Sequence, residues 1–180
     1  MDLQIEDKVA IVTGSARGLG AATARRLAEE GAKVVVTDIL REQAEATAAA
    51  LRADGLQAHC IVADITKGTE VQRLVEETVA HFGGVHILVN NAGFPRDKYL
   101  VKMAEEDWDL VMEVRLKGAF LASKTVMPHF IAQGLGQSAE DDVERRVVER
   151  EQGHAVGHAA MHRAGPVTHS ARRSRAAPRR

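Results

Sequence analysis

Between an apolar run, Val9-Ala10-Ile11-Val12, and an alanine-rich stretch of helical pattern stands the turn Thr13-Gly14-Ser15-Ala16-Arg17-Gly18-Leu19-Gly20. Strand, glycine turn and helix in that order suit the pyrophosphate of a dinucleotide. Gly14 lets the chain turn sharply with a positive φ. Gly18 has no Cβ, so an anion can approach the backbone, and Gly20 lets the helix pack closely on the sheet. The unpaired N–H groups of the first helical turn then face the anion.

Downstream of the turn, the alternation of strand and helix continues. Lys8 to Thr13 is predicted as a buried strand. Gly18 to Glu30 is predicted as a helix, with Leu19, Ala22, Thr23, Arg26 and Leu27 at helical spacing and Gly31 as its stop. Further strands are predicted over Lys33 to Asp38, Gln57 to Asp64 and Val85 to Asn90. Helices are predicted over Leu40 to Asp54, Lys67 to Phe82 and, as one long element, about Glu105 to Gln133. Continuous apolar strands alternating with helices imply an α/β fold whose parallel sheet is covered on both faces. Right-handed crossovers make it doubly wound and Rossmann-like.

The pattern stops after Gln133. Beyond Leu135 the sequence contains no Leu, Ile, Phe, Trp, Tyr or Lys. Charge divides at nearly the same place: residues 1–140 carry 15 Lys+Arg against 20 Asp+Glu, whereas residues 141–180 carry nine Arg against five acids. The expectation is a dinucleotide-binding domain over 1–135, incomplete for its fold class, and an Arg/Ala/His-rich tail over 136–180. So few large apolar groups cannot offset the ordering entropy of such a segment. The tail reads as coding sequence translated out of frame from GC-rich DNA. A single cysteine, Cys60, excludes an internal disulfide and fits a reducing compartment. No apolar run approaches the roughly 20 residues of a membrane helix, and charged residues interrupt the N-terminus, so a cytoplasmic protein is expected.

Four motifs in order carry a resemblance to a known family. They are the glycine turn, Asp38 after the second strand, Asp64-Ile65 after the third, and Asn90-Asn91-Ala92-Gly93 after the fourth. With Trp108 to Phe120, they make residues 5–134 resemble the short-chain dehydrogenase/reductase family, nearest to 3-oxoacyl-acyl-carrier-protein reductase-like members. The resemblance implies an NAD(P)-dependent oxidoreductase acting on a small carbonyl or alcohol. It assigns Gly14, Ser15, Arg17, Gly18, Leu19 and Gly20 to the pyrophosphate turn and Asp38 to the adenosine ribose. Asp64 and Ile65 would flank the adenine, and Asn91, Ala92 and Gly93 would line the nicotinamide-side ribose. Other readings stay open at three of these positions. Asp38 or Asp64 can cap the following helix, and Asn91 can tie the central strands together.

A carboxylate at the end of the second strand suits NAD and repels the 2′-phosphate of NADP. Arg17 acts in the opposite sense, since it can pair with that phosphate. Asp38 is weighed more heavily, so NAD is the expected cofactor. The chemistry that the resemblance implies needs a Tyr with a Lys four residues later, a Ser ahead of them, and an Asn on the long helix. The only tyrosine, Tyr99, is followed at that spacing by Met103, and the Asn position falls at Arg115. Ser138 and Ser170 lack the expected neighbours. No catalytic residue is assigned, and the chain is expected to be inactive or severely impaired.

His154, His158 and His162 stand at helical spacing, but no Glu or Cys completes a metal site, and none is assigned. Two other functions stand beside the oxidoreductase. One is a non-catalytic module that binds NAD or pairs with a complete subunit, self-associating through the long helix, which commonly forms a subunit interface in the family. The other is a nucleic-acid-associated protein using the tail arginines, for which no reader module is visible.

Overall fold

Five parallel strands in the order β3-β2-β1-β4-β5 form the centre of the molecule. The computed structural model describes residues 3–134 and 147–149. The strands are β1 Val9–Thr13, β2 Lys33–Thr37, β3 Ala58–Cys60, β4 Ile87–Asn90 and β5 Val147–Glu149. Between them run the helices α1 Gly18–Glu29, α2 Arg41–Ala53, α3 Gly68–Phe82, α4 Glu105–Met112 and α5 Gly118–Ala132. This is the expected doubly wound α/β fold. The chain builds outward from β1 to β3, then returns to place β4 on the other side of β1. The crevice at that reversal is where open α/β sheets hold ligands.

Alternation along the strands divides the core in two. Ala10, Val12, Val34, Val36, Ile87 and Val89 pack with Ala24, Ala28, Ala44, Ala48 and Leu51 of α1 and α2. Ile11, Val35 and Leu88 face the other way, onto Val71, Leu74 and Val75 of α3 and Ala122, Val126 and Phe130 of α5. Both faces are therefore apolar, as the uninterrupted valine and isoleucine runs imply.

The elements differ from the sequence reading in four places. The buried face of α1 is Gly20, Ala24 and Ala28, while Leu19 is 62% exposed. The small side chains of Ala24 and Ala28 let this helix lie close to the sheet, with Leu27 packed at the margin of that core. The third strand is only Ala58–Cys60, although Ile61 N and Ala63 N beyond it still donate to Val36 O and Asp38 O. The long helix runs from Glu105 to Ala132 as expected but carries a π-turn, Glu113–Lys117, between α4 and α5. Finally, a fifth strand is present, where the sequence suggested none. Val147, Val148 and Glu149 pair in parallel with Leu88, Val89 and Asn90, so β4 is not the sheet edge. The remaining expectations for the tail, including those on Ser138, Ser170, His154, His158 and His162, lie outside the described residues.

Candidate dinucleotide site

At the C-terminal ends of the strands a cavity of about 500 Å³ opens between the glycine turn, the ends of β2 and β3, and the segment after β4. That volume lies in the ordinary range for ligand sites. Gly14 adopts the positive φ that the sequence suggested, and Gly18 adopts one as well. Gly14 and Gly18 have φ of +63° and +58°. A Cβ on Gly14 would come within 2.7 Å of the Ala92 Cα, whereas one on Gly18 would meet nothing within 4 Å. The turn is thus packed against the β4 side and open toward the cavity. No side chain caps α1, so its first N–H groups remain for an anion.

Gly20 acts differently from the sequence reading. A Cβ there would run into the Gly14 carbonyl oxygen and come within 2.5 Å of Asn91 Nδ2. The close approach is to the turn and its brace rather than to the sheet. Asn91 is that brace. Its Nδ2 donates to Thr13 O at 2.9 Å and Gly14 O at 3.0 Å, and its backbone N–H donates to Thr13 Oγ1 at 3.0 Å. Ala92 N donates to the same hydroxyl at 3.1 Å, and that hydroxyl donates to Val89 O. The reading of Asn91 as a tie between strands therefore describes its side chain, which also borders the cavity.

Asp38 and Asp64 both line the cavity, and both organise backbone. Asp38 Oδ2 accepts from Ala16 N of the glycine turn at 3.2 Å, and Oδ1 accepts from Leu40 N at 3.1 Å. Asp64 Oδ1 accepts from Thr66 N and Thr66 Oγ1, at 3.0 and 2.7 Å, while Oδ2 pairs with Lys67 at 3.3 Å. Burial disfavours the Asp64 charge, but the Thr66 and Lys67 donors outweigh it and hold the carboxyl below its ordinary range. Its backbone N–H donates to Glu70 Oε2 at 2.8 Å, fastening the start of α3.

Arg17, Gly18, Leu19, Ile65, Ala92 and Gly93 also border the cavity. Ser15 does not. It is fully buried, its hydroxyl donating to Val12 O at 2.6 Å and accepting from Thr37 N at 3.0 Å. Several lining residues were missed from sequence, notably Ile39, Phe94 and Val114. Ile39 is 65% exposed immediately after Asp38, and an apolar residue directly after a strand-end carboxylate was the available signal. Val114 had none, because the π-turn brings it there.

Comparison with known proteins agrees with this geometry. The short chain dehydrogenase family profile matches residues 8–138. The chain belongs to the short-chain dehydrogenase family. Among curated family members it is 40% identical over 131 residues to 3-oxoacyl-acyl-carrier-protein reductase FabG of Staphylococcus epidermidis, covering 72% of this chain and 54% of that protein. It is 42% identical over 132 residues to the short-chain reductase protein NovJ of Streptomyces niveus, covering 73% and 50%. A solved short-chain dehydrogenase/reductase from Burkholderia xenovorans superposes with a TM-score of 0.70 at 39% identity, covering 73% of this chain and 54% of that one. A Serratia marcescens short-chain dehydrogenase/reductase mutant gives 0.65 at 38%, covering 69% and 51%. The chain spans about half the length of the curated relatives it matches. Among the described residues, no helix is long and apolar enough to cross a membrane.

Proposed function

We propose that this short-chain dehydrogenase family chain holds NAD across the ends of its strands without turning it over. The adenosine ribose meets Asp38, the adenine lies by Asp64 and Ile65, and the pyrophosphate sits over the turn from Gly14 to Gly20. The nicotinamide-side ribose meets Asn91, Ala92 and Gly93. The open space beside Gly18, at the uncapped start of α1, carries this reading. Bound NAD supplies a hydride acceptor. The preference for NAD over NADP rests on Asp38, whose carboxylate opposes a 2′-phosphate more directly than Arg17 attracts one.

By likeness to its relatives, the substrate class of an intact enzyme of this kind is a 3-oxoacyl thioester or another small carbonyl or alcohol. No Tyr-x-x-x-Lys occurs among the 180 residues. Residues 1–135 then act as the cofactor-binding domain, in a reducing cytoplasmic setting. A second reading is a pairing module. Trp108, Leu116 and Phe120 expose large apolar surface along α4, the π-turn and α5, which favours association with a second copy or an intact subunit.

Calorimetry with NAD and NADP, together with NADH oxidation assays on 3-oxoacyl thioesters and cyclic ketones, tests the proposal. Binding without turnover is expected. Turnover near one per second, about the low end of usual enzyme rates, would overturn it.

A further inference from the structure

The main chain leaving β4 forms one wall of the cavity at Gly93, Phe94 and Pro95, with no regular secondary structure before Leu100. Behind that wall lies Arg115, the middle residue of the π-turn. A Cβ on Gly93 would come within 3.1 Å of Arg115 Nε and 3.2 Å of its Cγ, so the arginine stem lies directly against the Gly93 backbone. Arg115 Nη2 donates to Phe94 O at 3.2 Å. On the same residue, the Arg96 guanidinium stands 5.5 Å from the Phe94 ring centre, and Arg96 pairs with Asp107 of α4. The neighbour of Arg115, Val114, itself lines the cavity. The π-turn thus sends one residue into the site and sets the next against its wall.

We propose that Arg115 is a positioning residue for the half of the dinucleotide held at the end of β4. It does not border the cavity. It acts through Gly93 and Phe94, fixing a coil segment by a charge-assisted hydrogen bond. A wall ordered before binding spares the ligand the entropy of ordering it. This inference rests on the proposed reading of the cavity as a dinucleotide site. That reading places the adenosine half by Asp38 and Asp64 and the other half by Gly93, the residue against which Arg115 packs.

Calorimetry on the full chain with two probes, NADH and ADP, separates the halves. Arg115→Met keeps the apolar stem and loses the donor. It should weaken NADH on the order of tenfold, the scale of one hydrogen bond from a charged donor, and leave ADP unchanged. Arg115→Lys should recover most of the loss. Arg115→Gln replaces the Met variant if the latter does not fold, with the same expected split. Unchanged NADH affinity would overturn the inference, and so would an equal loss of NADH and ADP, the mark of a general structural role. If the unaltered chain binds neither probe, the dinucleotide reading itself falls and takes this inference with it.

Discussion

Asn91, at the end of β4, donates its side-chain amide to the carbonyl of Gly14, 77 positions earlier in the chain. The same amide nitrogen serves Thr13 O, and the absent Cβ of Gly20 leaves room for it. The shape of the glycine turn is therefore imposed from β4 as well as by its own glycines.

Asn91→Ala should destabilise the fold by about 1–3 kcal/mol, because two carbonyls lose their donor at a partly buried site. Urea unfolding at constant m-value measures this. Gly20→Ala should cost about as much, since overpacking typically costs 1–3 kcal/mol, and should also remove cofactor binding by displacing the Gly14 carbonyl.

Asp38→Asn should narrow the preference for NAD over NADP. One amide oxygen can serve Ala16 N or Leu40 N but not both in the present geometry, so a loss of about 1 kcal/mol in stability should accompany the change. Paired calorimetric and unfolding measurements separate the two effects. Tighter NADP binding by the unaltered chain would contradict the assignment.

Gly118→Ala should perturb the site from the opposite side. A Cβ there would approach Ile65 Cδ1 to 2.6 Å, and Ile65 lines the cavity. The buried Ile65 must move or change rotamer, at roughly 1–3 kcal/mol. The chain should still fold but bind ADP more weakly. Equal ADP affinity would show that Ile65 relaxes away from the site.

Acid should loosen the far edge of the sheet first. His59 on β3 stacks on His81 of α3, with ring centres 3.9 Å apart. Burial, then His81 and Arg52, push its pKa below 6.5, against a smaller opposite pull from Glu77. A histidine held neutral by the fold contributes stability that is present above about pH 6.5 and lost as pH falls through its lowered native value. Asp64, also lowered, contributes above its ordinary 3.8 and loses that contribution at more acid pH. Unfolding measured from pH 7.5 downward should show the histidine-linked loss first, and His59→Asn should flatten it.

Self-association should involve the exposed face of α4, the π-turn and α5. Leu116→Glu with Phe120→Glu should lower the sedimentation coefficient at tens of micromolar if a second copy covers this face. A monomeric unaltered chain would exclude that pairing.

Local chemistry made much of this molecule legible. Uninterrupted valine and isoleucine runs specify strands buried on both faces, and helical spacing specified α3 with its inward Val71, Leu74, Val75 and Thr78. Positive φ at Gly14 comes from the turn that its sequence dictates. Short-range pattern determines these features because backbone preference and side-chain period act within a few residues. Tertiary structure alone decided the rest. The alanine face of α1, the place of Val147–Glu149 beside β4, the room that Gly118 leaves for Ile65, and the reach of Arg115 to Phe94 all depend on groups far apart in the chain. A side chain's hydrogen-bond partner, or the atom a missing Cβ makes room for, is set only when the layers come together.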